Sequence, residues 1–153
     1  MPTRSPPRAA PRLKLQLQIA AARAGLPSAA QIRRWARAVP SLRGDVTVRI
    51  VGGGEARSLN RRFRGRDHAT NVLSFPYGAA RGRVQGDVVL CAPVIAREAR
   101  VQGKSLDAHY AHLTVHALLH LQGHDHLGRR DTALMEALER KLLAKLGYSD
   151  PYA

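Results

Sequence analysis

Residues 105–123 read SLDAHYAHLTVHALLHLQG, an apolar stretch of helical length that closes on a glycine. Ser105 or Asp107 can accept from the first amides of such a helix, and Gly123 suits the turn that ends it. Most of its positions are apolar, so the stretch is expected to form a central helix with others packed around it. Four of its polar residues are histidines. Six of the seven in the chain fall between His109 and His126. His112, His116 and His120 follow one another at intervals of four, which places neighbouring rings on one face within about 6 Å.

Outward from this helix the pattern alternates between strand and helix periods. Leu13, Leu15, Leu17 and Ile19 alternate with Lys14, Gln16 and Gln18, as in a half-buried strand. Ser28 and Gln31 form a capping box for a helix that puts Ile32, Trp35 and Val39 on one face and stops at Pro40. Val46, Val48 and Ile50 predict a second strand. A helix from about Glu55 to Phe63 follows, with Leu59 and Phe63 as its apolar pair. Gly52–Gly54 between them lacks the spacing and the Lys-Ser/Thr ending of a phosphate-binding loop, and reads as a turn. Val72–Phe75 predicts a short strand ended by Pro76, Tyr77–Gln85 a mobile turn, and Val88–Leu90 a strand buried on both faces. Pro93 suits the first turn of a helix over about 94–102, which Gly103 ends. Asp131 opens a last helix whose packing stripe is Leu134, Met135, Leu138, Leu142 and Leu146. The order β-α-β-α-β-β-α-α-α predicts an α/β (α+β) fold, one mixed sheet of about four strands packed with helices.

The chain has 153 residues and a formal net charge of +14. That length is one domain, expected over 13–153, and it needs no disulfide scaffold. Residues 1–12 hold four prolines and three arginines without periodicity, and read as a flexible basic tail. Residues 1–66 carry 15 basic and 2 acidic groups, whereas residues 67–153 carry 10 and 9. A charge so concentrated points to a polyanionic partner. Cys91, the only cysteine, excludes an intrachain disulfide and a thiolate metal cluster, and reads as a small core residue. No apolar run approaches bilayer length, so no membrane partner is expected. The expected compartment is the cytoplasm. The Arg-rich tail is also compatible with organellar targeting.

The histidines carry the chemistry. His116 and His120 can take two positions on a tetrahedral ion, and the turn at Gly123 can return His126 as a third ligand, giving H-x3-H-x5-H. Three imidazoles leave a fourth position open, which is the arrangement of catalytic zinc and not of a closed structural site. Other transition metals accept the same ligands. His112 is the rival for the third place, although consecutive turns of one straight helix wrap an ion poorly. A bland reading also stands, in which the row lines a polar helix face. Ala117 occupies the place where H-E-x-x-H proteases carry their glutamate base, so peptide hydrolysis by that route is disfavoured.

Four blocks in order, LNRRFRGRDHATNVLSFPYG, GDVVLCAPVIAREARVQGKSLDAHYAHLTVH, HALLHLQGHDH and LGYSDPY, strongly resemble the YbeY family of bacterial and organellar rRNA maturation factors. The resemblance covers about Leu13 to Tyr152. It implies a single-strand-specific metallo-endoribonuclease with one Zn2+ per chain, held by His116, His120 and His126. It also implies partners: single-stranded RNA, 16S rRNA at its 3′ end, and the small ribosomal subunit with its associated proteins. The family's functional arginine falls on Arg64. Where the family usually has tyrosine this chain has His124, a substrate contact or a competing ligand. Its usual glycine after the first histidine is Ala117 here, and its usual proline before Thr70 is Ala69.

Other positions keep two readings. Asn71 and Ser74 belong either to the cleft or to turn and strand surface. Asp125 either orients a ligand imidazole or caps the turn. Arg61, Arg62 and Arg66 read singly as a solvated face and together with Arg64 as a backbone-binding patch. Tyr77, Tyr148 and Tyr152 could stack bases, with packing or tail roles favoured. A ribosome-associated assembly factor with contingent nuclease activity is the competing function, and a hydrolase acting on another polyanion is a third.

Overall fold

The computed structural model describes residues 13–22, 24–124 and 128–153. The expected basic tail, residues 1–12, lies outside them. Four strands and five helices follow the predicted order: β1 (Leu13–Ala20), α1 (Ala29–Ala38), β2 (Gly44–Val51), α2 (Gly53–Arg64), β3 (Val72–Ala80), β4 (Arg83–Cys91), α3 (Ala92–Gln102), α4 (Leu106–Leu121) and α5 (Arg129–Lys145). The sheet order is β1-β2-β4-β3, with β1, β2 and β4 parallel and β3 antiparallel to β4. None of the helices among the described residues is long and apolar enough to cross a membrane.

Strand alternation sorts the core into two layers. Leu15, Val46, Val48, Ile50, Val84, Val88 and Leu90 face one way and pack with Ile32, Trp35 and the apolar residues of α4 and α5. Val51, Leu73, Val89 and Cys91 face the other way and meet Ala56 of α2 and Val94 of α3. β4 contributes to both layers, as its continuous apolar run requires. α4 is central: it touches α1, α3, α5, β3 and β4. The contact with β4 is close because position 86 is glycine. A Cβ there would come within 2.6 Å of Leu121 Cδ2.

Three helix caps match their local signals, whereas Gly53 and Gly54 belong to α2 instead of a turn, and α5 opens at Arg129 behind Gly128, ahead of Asp131. Ser28 and Gln31 form the reciprocal capping box, Ser105 accepts from the Ala108 amide, and Gly103 ends α3 at φ 66°.

Three further expectations are corrected. Tyr77–Gln85 is not a mobile turn, because β3 runs to Ala80 and β4 starts at Arg83. Only Arg81 and Gly82 connect them, at φ 55° and 74°. Two consecutive positive φ values are those of a tight hairpin turn whose twist suits the flanking strands. The Arg43 guanidinium holds the carbonyls of Arg81 and Gly82. Pro76 does not end β3. It sits on the edge strand beside a register shift between Pro76 and Gly78, where its missing amide is tolerated. Finally, Phe63 and Leu134 are 56% and 62% exposed. Their periodicity places them beside the packing faces of α2 and α5, at positions where more than half of each residue stays exposed.

Candidate active site

α4 delivers the histidine row as its spacing requires. The His116 and His120 ring centroids are 4.9 Å apart, and His112 lies 6.3 Å from His116 on the other side. His116 and His120 line one wall of a cleft of about 620 Å3, which Arg64, His68, Asn71 and Ser74 also line. Arg64 leaves the C-terminal end of α2 and donates from Nη2 to the Ser74 carbonyl at 2.6 Å. Its guanidinium also lies 5.5 Å from the centroid of the Phe75 ring. Ser74 belongs to β3 and is held toward α4, its Oγ donating to the Ala117 carbonyl at 3.5 Å.

Behind the row stands Glu139 of α5, which is completely buried. His116 Nδ1 meets its Oε1 at 2.6 Å, and the Tyr152 hydroxyl donates to its Oε2 at 2.7 Å. His112 Nε2 lies 3.4 Å from the same Oε1 and 3.2 Å from the Tyr152 oxygen. Burial alone would push the Glu139 carboxyl up, but hydrogen bonds from His112, His116 and Tyr152 hold it down, at about 2. It is therefore an acceptor. A carboxylate against Nδ1 puts the proton on that nitrogen and the lone pair on Nε2, the tautomer that a metal-ligating imidazole needs. The Tyr152 phenol is pushed up by burial first and then by this carboxylate, so it stays protonated and donates. The C-terminal segment carrying Tyr152 is fastened by Asp150, which accepts from the Tyr152 amide at 2.8 Å and from Arg140 Nε at 3.1 Å.

A second, part-buried set anchors the cleft residue Asn71. His109 Nε2 lies 2.9 Å from Glu98 Oε1, which also accepts from Asn71 Nδ2 at 3.0 Å. Burial pushes the His109 imidazole down, against the raising effect of Glu98, so the ring is neutral. Asn71 Oδ1 in turn accepts from the Val72 amide at 2.6 Å. The side chain thus anchors the entry to β3 while lining the cleft, and the two sequence readings of Asn71 are compatible.

The remaining expected residues are placed differently. His112 stands behind the cleft wall, its Nε2 directed at Glu139 and Tyr152. His124 is exposed and borders a separate hollow with Asp131, Leu134 and Met135. Asp125 and His126 lie outside the described residues. Among the described residues, His116 and His120 converge at the cleft, and no group of three His, Cys, Asp or Glu side chains gathers for a metal. Arg61 and Arg62 are exposed on α2, and Arg66 lines the cleft. Tyr148 packs, its hydroxyl accepting from Trp35 Nε1 at 3.2 Å. Tyr77 is exposed and donates to Asp87 Oδ2 at 2.6 Å. Cys91 is buried, as its strand position suggested, and burial pushes its thiol up.

Sequence reasoning missed Glu139. The signal was present, since Met135, Glu139, Leu142 and Leu146 share the buried stripe of α5 at intervals of four, three and four. An acid on an apolar stripe is buried only where it is paired.

The family described as Endoribonuclease YbeY matches residues 18–147. Endoribonuclease YbeY of Aromatoleum aromaticum is 55% identical over 150 residues, covering 95% of this chain and 96% of the relative. That of Methylibium petroleiphilum is 54% identical over 147 residues, covering 95% and 97%. That of Stenotrophomonas maltophilia K279a is 51% identical over 154 residues, covering 93% and 94%. Among solved structures, the solution structure of a Thermotoga maritima protein superposes with a TM-score of 0.58 at 19% identity, covering 90% of this chain and 98% of that one. This last likeness is one of fold.

Proposed function

The chain belongs to the YbeY endoribonuclease family, and we propose that it is a zinc-dependent endoribonuclease that cuts single-stranded RNA in maturing the 3′ end of 16S rRNA. The observation that carries this reading is the cleft itself, with paired imidazoles on one wall, a buried carboxylate behind one of them, and an arginine facing them from α2. The shared endoribonuclease name of the relatives favours catalysis over the assembly-factor reading. The small ribosomal subunit and its proteins would be the setting of the reaction, and the cytoplasm its compartment.

The residues fit a zinc ion. His116 has the carboxylate-backed imidazole that characterises metal ligands, and His120 is its neighbour on the same face. His116 and His120 would hold the ion, with His126 as the third ligand read from the sequence. A bound zinc ion supplies Lewis acidity to a phosphodiester oxygen or to a water. The chain's own groups do the rest. Glu139 fixes the His116 ring and keeps its proton on Nδ1. Arg64, steadied by Ser74, offers a planar set of N–H donors to phosphate oxygens, where negative charge grows as the phosphorus becomes five-coordinate. His68 and Asn71 line the same cleft and bound the space open to substrate. The nucleophile is either a water or the neighbouring 2′-hydroxyl.

Cleavage assays on matched single-stranded and duplex RNA test the reading, with chemical analysis of the product ends. Cutting of the single strand, lost in His116→Ala and in Arg64→Ala, is the expected result. A 2′,3′-cyclic phosphate end would assign the 2′-hydroxyl as nucleophile. Undiminished cutting by His116→Ala would place the chemistry elsewhere.

A further inference from the structure

We infer that Phe63 is a stacking platform at the rim of the cleft, on which an unpaired base of the RNA rests beside the nucleotide being cut. The inference builds on the endoribonuclease reading and names the substrate contact that makes it single-stranded.

The chain has two phenylalanines, and the structure brings both together here. Phe63, near the C-terminal end of α2, is 56% exposed. Its ring is nevertheless held. It makes a T-shaped contact with Phe75, the centroids 5.4 Å apart and the planes inclined by 66°. A ring held in this way and still more than half exposed offers apolar surface without the conformational freedom that a loose side chain would lose on binding.

Arginines flank the pair on both sides. The Arg62 guanidinium lies 6.0 Å from the Phe63 centroid, and that of Arg64 lies 5.5 Å from the Phe75 centroid. Arg64 lines the cleft with His116 and His120. Arg64, Phe75, Phe63 and Arg62 thus form a chain of contacts that starts at a residue of the cleft, with cationic groups at either end of an aromatic pair. Single-stranded nucleic acid has the complementary pattern, phosphates that pair with guanidinium groups and base faces that stack on rings. In a duplex those base faces are covered by their neighbours, so this surface would discriminate by strandedness and not by sequence. A protein partner would use the exposed ring but would leave the flanking positive charges without phosphate.

The test is a double-mutant cycle on binding, in the full chain carrying His116→Ala so that the RNA stays intact. The probe is a short fluorescein-labelled single-stranded RNA, alone or with one abasic nucleotide walked along it. Phe63→Leu keeps an apolar contact with Phe75 but removes the aromatic face, and it should weaken binding of intact RNA by about tenfold. Phe63→Trp should restore the affinity, and an abasic nucleotide at one position should erase the difference that Phe63→Leu makes. Equal affinity of Phe63→Leu and its parent, with unchanged melting temperature, overturns the inference alone. So does a loss that is the same at every abasic position. Retained RNA binding with lost docking to the small ribosomal subunit would make the ring a protein contact and overturn it too. A chain with native His116 that neither binds nor cuts RNA would bring down the endoribonuclease reading together with this one.

Discussion

Glu139 shows how one side chain can organise a cleft that it never touches. Fully buried, it accepts from His116 and Tyr152 at 2.6 and 2.7 Å, and both donors are themselves positioned by other elements. Glu139→Gln preserves the shape but replaces one acceptor oxygen with an N–H donor, and it puts either His116 or Tyr152 opposite the wrong group. The expected result is a 10- to 100-fold fall in zinc affinity, the usual consequence of losing such a partner. Titration against a competing chelator reads it, and unchanged affinity would show that the carboxylate only fills space. Tyr152→Phe removes one donor and should cost about 1 kcal/mol of stability with a smaller effect on zinc. Cys91, buried with its thiol pushed up, should resist alkylation until the protein unfolds. Alkylation of the folded protein would contradict that.

At the scale of elements, the site depends on α4 lying against the sheet. Gly86 makes that approach possible: a Cβ there would meet Leu121 Cδ2 at 2.6 Å and the Phe75 carbonyl at 3.0 Å. Gly86→Ala should therefore destabilise the fold by about 1–3 kcal/mol, seen as a lower denaturant midpoint with an unchanged slope. A neutral substitution would mean that α4 can shift without cost. What could be read from the sequence at this scale follows from how local each signal is. Ser28 with Gln31, Gly103, and the histidine interval in α4 are contained within a few residues, and all appear where expected. The β3–β4 hairpin was hidden because Gly78, Ala79 and Ala80 have weak strand preference, and because Arg81 takes a backbone conformation that its side chain does not announce. Phe63 and Leu134 show the other limit. Periodicity tells which side of a helix is apolar, but only the tertiary arrangement tells where a neighbouring element ends.

For the molecule as a whole, the charge asymmetry acquires a location. Arg61, Arg62, Arg64 and Arg66 crowd the end and exit of α2. Arg57 and Arg49, by contrast, are engaged by Asp67 and Glu55. RNA affinity should fall steeply with salt, by a slope of about 0.7 for each phosphate neutralised, and Arg64→Ala should lower that slope by about one contact. A slope unaffected by Arg64→Ala would remove it from the RNA path. The site was legible in the sequence as far as single-element spacing reaches, through His116 and His120. Glu139, Glu98 and the Phe63–Phe75 pair join elements far apart in the chain, and no interval between residues encodes their meeting. Metal content measured together with activity tests the central claim most directly: elemental analysis of untagged protein and of His116→Ala, His120→Ala and His126→Ala, each assayed on single-stranded RNA before and after chelation. The account predicts about one zinc per chain in the parent, its loss in each variant, and loss of cleavage in step with the metal. Full RNA cleavage by metal-free protein would contradict it.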